Sequence, residues 1–227
     1  MLPTSAPLPL EVQPQWIDYP LNWIGVSVSA VLFIISLKMF VELLPYLWGG
    51  MWWEKMILNL EASVSKTRDR NRLFSVCILP FCLLVSKYHF FTPRFMAPLG
   101  EGLSVLGVVG AVAAFFLLRW LISIIISSQD PKMSSERAKV SSRSIMNFWI
   151  MGCVGCGIVA IPLSSLGVNT LTIRHILIVI GIFIYLLFLV RRTQILLNFC
   201  NHLKAFLYLC ALELIPLAAM VATGLFL

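Results

Sequence analysis

Six long apolar runs recur along this chain, at about 21–40, 73–91, 103–127, 144–166, 171–190 and 205–226. A helix needs about 20 mostly apolar residues to cross ~30 Å of hydrocarbon, whereas a barrel strand needs only about ten. In lipid every backbone N–H and C=O must be satisfied within its own segment, so runs of this length read as helices. The second run is the weakest, because Pro80 interrupts it and Lys87 sits near its end. The predicted fold class is therefore all-α: a polytopic transmembrane bundle of about six spanning helices plus one interfacial amphipathic helix. Only four residues separate the fourth and fifth runs, which predicts an antiparallel hairpin.

Composition leaves little room for anything else. Hydrophobic residues make up 59% of the 227 and charged residues 12%, against about 25% charged in soluble domains. No polar stretch is long enough for a second, soluble domain, so one membrane domain over 21–227 follows an extracytoplasmic segment, 1–20. That segment carries no Lys or Arg and lacks the basic start of a cleavable signal peptide.

The net charge of +7 comes from loops and helix ends between apolar runs. Of the 17 Lys and Arg residues, Lys87, Arg94 and Arg174 fall on one side and the other fourteen on the opposite side. Basic residues stay in the cytoplasm. Both termini are thus expected outside it, and nucleic acid is not an expected partner.

The first inner loop, 41–72, holds Trp48, Trp52 and Trp53, with apolar positions 53, 56, 57 and 60 at helical spacing. An interfacial helix is predicted there, followed by the basic run Lys66, Arg68, Arg70 and Arg72, which would face anionic lipid or a partner. The inner loop 129–144 reads as a solvated connector.

Two charges interrupt the apolar runs. Glu213 lies eight residues into the sixth helix, about 12 Å deep at 1.5 Å per residue. Pro216 follows and cannot donate to the carbonyl of Leu212, which leaves an acceptor free beside Glu213. Cys210, Glu213, Pro216, Leu217 and Met220 share one face by spacing, expected to point inward. Arg119, in the third helix, lies at a similar depth. Three readings stay open: an ion pair holding the third and sixth helices in register, a proton or substrate site in which Glu213 changes protonation, or Arg119 snorkelling to the interface.

Cys153 and Cys156 form a Cys-x-x-Cys inside an apolar helix, where Gly152, Gly155, Cys156 and Gly157 make a small-residue surface suited to close packing. Gly107 and Gly110, each four residues before an alanine, offer the same in the third helix. The third and fourth helices are expected to approach closely, either each other or another copy. All six cysteines read as buried small hydrophobes. His89, His175 and His202 are scattered, so no metal site or cofactor is predicted. No Ser-His-Asp set, paired catalytic carboxylates or phosphate loop is visible, and an enzyme is not expected.

The stretch Phe206–Leu207–Tyr208–Leu209–Cys210–Ala211–Leu212–Glu213–Leu214–Ile215–Pro216 resembles the C-terminal signature of an uncharacterised multi-pass inner-membrane family of Bacteroidetes, the domain of unknown function 4271. Its Leu-Tyr-Leu-Cys, Glu and Pro carry the likeness, which extends over residues 100–227. The resemblance implies a bacterial inner membrane, so that the outer side to which the charge count assigns both termini is the periplasm, and it adds weight to Glu213 and Pro216; Tyr208 and Cys210 on the same stretch join them as candidate site residues. It implies no reaction. Membrane lipid and a protein partner or second copy are the expected partners. The expected function is a non-enzymatic assembly or scaffold subunit of an envelope complex; the alternative is a small transporter or proton-coupled component using Glu213.

Overall fold

In a computed structural model of the chain, which describes residues 15–91, 93, 100–129, 136–197 and 202–226, the described residues form helices and no strand. The helices are α1 (Pro20–Trp52), α2 (Glu54–Ala62), α3 (Val64–Lys87), α4 (Gly100–Gln129), α5 (Glu136–Ser165), α6 (Thr170–Leu197), α7 (His202–Leu209) and α8 (Ile215–Phe226), with a π-turn over Cys210–Leu214. Residues 1–14, Arg94 and most of the 129–144 connector, all assigned a side of the membrane by sequence, lie outside the described residues or their described side chains.

Four helical stretches, Pro20–Trp52, Gly102–Ile125, Ser144–Ser165 and Thr170–Gln194, are long and apolar enough to cross a membrane. The second and sixth predicted passes are helical too but fall outside that set. The opening turns of α3 carry Lys66, Arg68, Asp69, Arg70 and Arg72, which dilute its apolar length. The last pass is divided by its π-turn into shorter pieces.

Helix α1 buries Asn22, Ser29, Ser36, Leu43 and Gly50, one residue every seventh position, while Ile34 and Ile35 on its far side are about seven-tenths exposed. With Leu47 also buried, this makes a narrow seam along one side of the helix. In its first half the helix packs on α3, where a Cβ on Gly25 would stand 3.0 Å from Leu83, and at its end on α2, where one on Gly50 would stand 3.1 Å from Ile57. Leu43 and Leu47 of α1, Leu60 of α2, Leu73 and Cys77 of α3, and Ile150 and Cys153 of α5 form one buried cluster.

The loop predicted over 41–72 is largely helix. α1 runs on to Trp52, and α2 then folds back with Ile57 and Leu60 buried and Trp53 and Met56 exposed. Its apolar face thus packs into the bundle, with Gly50 and Ile57 nearly touching.

The α5–α6 hairpin forms as predicted. Gly167, at φ +72°, ends α5 in a Schellman motif, with Val168 N–H bonded to Leu163 O and Gly167 N–H to Ser164 O. Asn169 then caps α6, its Oδ1 accepting from Leu171 N–H at 3.0 Å.

At the opposite end from the basic residues, Trp16 Nε1 donates to Ser86 Oγ at 3.2 Å, and Ser86 shares a 2.6 Å hydrogen bond with Ser104. The last residues of the predicted extracytoplasmic segment are therefore anchored on α3 and α4. Tyr19 also lies on Gly102, where a Cβ would come within 2.8 Å of its ring.

Candidate functional site

Pro216 shapes the site. It has no N–H to offer Leu212, and its ring crowds that carbonyl. The turn ahead of it widens by one residue, so that Ile215 N–H bonds Cys210 O, five residues back. Glu213 sits in this widened turn with its side chain 1% exposed.

Two guanidiniums converge on its Oε1. Arg119 Nη2 of α4 donates at 2.7 Å, and Arg192 Nη1 of α6 forms an ion pair with the same oxygen. Tyr185 Oη donates to the backbone carbonyl of Glu213 at 3.5 Å. The Arg192 guanidinium lies 5.8 Å from the centroid of the Phe188 ring, within cation–π range. One carboxylate thus joins α4, α6 and the last helical run, and the cluster carries two positive charges against one negative.

Desolvating each ion costs several kcal/mol, so such a cluster adds little net stability; its force lies in what happens when one member is missing. It also fixes register, because a slip along any of the three helices would strand a charge in an apolar surround. Arg119 is 6% exposed and turns toward Glu213 rather than outward to the interface.

Depth and sign made the Arg119–Glu213 contact one of three open sequence readings, and the structure forms it. Arg192 was not foreseen: sequence reading counts it among the basic residues at a helix end. A signal was present, since Tyr185, Phe188 and Arg192 follow i, i+3, i+7 and share one face of α6. The adjacent Arg191 points elsewhere and bonds Gln194 Oε1 at 2.7 Å.

The face assigned inward on the last helix is the less exposed one. Glu213 and Pro216 are buried, and Cys210, Leu217 and Met220 are half-buried, whereas Leu214, Ile215, Ala218, Ala219, Val221 and Ala222 are exposed. Tyr208 is half-buried two residues before the π-turn.

The small-residue surfaces meet different neighbours from those expected. Gly152 and Gly155 face Ile184 of α6. Gly107 and Gly110 line a groove of about 460 Å³ with Pro216, Ala219 and Thr223 on the last helix. α4 and α5 meet instead through Phe116 and Trp149, whose ring centroids are 5.1 Å apart. Rings of that size hold the two backbones too far apart for glycine contact. Cys156 is half-buried, and Cys153 donates its thiol to Cys77 O of α3 at 3.4 Å.

A Cβ at Gly152 would sit 3.9 Å from Ile184, an ordinary van der Waals distance. Gly152→Ala is therefore expected to keep or raise thermal stability, because alanine is favoured over glycine in a helix by up to about 1 kcal/mol. A thermal melt in detergent checks it; a fall of several degrees would mean α5 and α6 need the bare glycine.

The basic run does not form one outward patch. Arg68 and Arg72 are exposed, but Arg70 is buried, ion-paired with Glu61 of α2 and bonded to Asn71 Oδ1 at 3.1 Å. Lys66 donates to Tyr46 Oη and lies 3.8 Å from that ring's centroid. The cause is helical periodicity: the run is the start of α3, so alternate members turn inward toward α1 and α2.

The model of the family described as Domain of unknown function (DUF4271) matches residues 53–223, from the start of α2 into α8 and including Arg119, Arg192 and Glu213. No curated protein and no solved structure matches the chain.

Proposed function

This chain belongs to the DUF4271 family, and from that premise we propose that it is a non-enzymatic scaffold subunit of a bacterial envelope complex. It crosses the inner membrane six times and keeps both termini in the periplasm. The resemblance of residues 206–216 supports the bacterial inner membrane, and the bias of basic residues to one side supports the orientation.

The observation that carries the scaffold reading is the double pairing of Glu213 with Arg119 and Arg192. Charges spent on one another across three helices hold a shape. A transport pathway would instead present them to a wet path, whereas the cavities beside this cluster are lined almost wholly by apolar side chains. The broad lipid-exposed face of α1, with Val31, Ile34, Ile35 and Trp48 outward, supplies surface for a partner helix.

Purification from native membrane in gentle detergent tests the reading. A stoichiometric protein partner, retained by the wild-type chain, is expected. Recovery of the chain as a lone monomer would overturn the proposal.

A further inference from the structure

Between α6 and the last helix the bundle holds a cavity of about 440 Å³, within the range of ~300–1,000 Å³ common to small-molecule sites. Gly181 and Ile184 of α6 and Leu217 and Met220 of α8 line it, and α3, α4 and α5 add the rest of the wall, with Phe148 and Trp149 among its rings. Ile182 and Val221 also line it and are 55% and 52% exposed, so it opens sideways between α6 and α8. Ile182 lies twelve residues from either end of the apolar stretch Thr170–Gln194, about 18 Å at 1.5 Å per residue. The opening therefore faces the middle of the hydrocarbon, where a bilayer presents lipid tails and no headgroups.

Among the described residues the wall is apolar throughout. No charged side chain lines it, and the Tyr185 hydroxyl is engaged with the Glu213 carbonyl at 3.5 Å. Buried water needs several polar partners and would find too few here. Left empty, a void of this size would cost about as much as the whole stability of a domain, because that cost grows with cavity volume. An α-helix about 10 Å across fills roughly 120 Å³ per residue, so the cavity would take about one turn of a partner and no spanning segment. A hydrocarbon chain needs no polar partner, is slender enough to enter between two helices, and already lies at the opening.

We propose that one acyl tail of a membrane phospholipid enters between α6 and α8 and fills this cavity, while its headgroup stays at the interface, unselected by the protein. The apolar wall and the depth of the opening decide for a tail over water, a headgroup or a second copy.

Native mass spectrometry of the full chain, ejected from nanodiscs holding equal phosphatidylcholine and phosphatidylglycerol with the same acyl chains, is the test. After the surrounding lipid is stripped, one phospholipid per chain is expected to remain, with the two headgroups held within about twofold of each other. A Cβ at Gly181 meets nothing within 4 Å, so Gly181→Leu fits the fold and takes up part of the cavity. That variant is expected to hold the last lipid about tenfold less well. If it does not fold, Val221→Phe narrows the opening from a half-exposed position on α8 and decides in its place. A wild-type chain stripped of all lipid as readily as the variant would overturn the proposal. So would a tenfold preference for either headgroup, which would mean that a polar group is recognised. A lipid-free dimer that Gly181→Leu abolishes would give the cavity to a second copy and overturn it too.

Discussion

Glu213→Gln is expected to destabilise the protein by about 3–5 kcal/mol, the usual cost of removing one member from a buried ionic cluster. The amide keeps the shape of the side chain but leaves Arg119 and Arg192 facing each other with no carboxylate between them. Their repulsion acts where burial gives little screening. Chemical or thermal unfolding in detergent should show a lower midpoint, and limited proteolysis should cut first near the π-turn, where the last helical run loses its tether to α4 and α6. The triple variant Glu213→Leu, Arg119→Met, Arg192→Met removes all the charges together and is expected to recover most of the lost stability, because no ion is left unpaired. A Glu213→Gln protein as stable as the wild type would mean that the cluster does not hold the helices. If such a protein had also lost a proton-coupled flux, the transporter alternative would replace the scaffold reading.

Leu47→Ala is expected to cost about 2–5 kcal/mol, at a site apart from the Glu213 cluster. Leu47 is fully buried where α1, α2, α3 and α5 meet, packed with Leu43, Leu60, Leu73, Cys77 and Ile150. In a membrane the gain from leaving water is largely absent between helices, so contact itself carries the association. Truncation there opens a void among four helices that cannot close without moving α2. Leu→Ala at a lipid-facing position makes the natural control: Leu106, 54% exposed on α4, is expected to change stability by no more than about 0.5 kcal/mol. Equal losses at the two positions would mean that the Leu47 cluster is not a packed core.

The two variants bear on different parts of the sequence record. That the chain is a bundle of apolar helices followed from run length and from the need to satisfy backbone polar groups in lipid. The α5–α6 hairpin was equally legible, because so short a connection forces two apolar helices side by side; the parts played by Gly167 and Asn169 came from the structure. Depth and sign, each of which can be counted along a helix, made the Arg119–Glu213 contact one of three open readings, and the structure shows the pair. Arg192 escaped because positive charge at a helix end already has a sufficient explanation. The direction in which Arg70 points depends on where α2 folds back, and no local pattern states that.

Sequence alone thus determined which segments are helices, that lipid is their solvent, and which two charges sit too deep to be solvated there. Hydrophobic length and helical periodicity are properties of a segment by itself. Tertiary structure alone decided which helix meets which: Gly152 against Ile184 rather than α4, Arg70 inward on Glu61, and a second arginine on Glu213. Those outcomes depend on side-chain volumes and on where each helix lies against its neighbours. Both act between segments, and neither can be read along one.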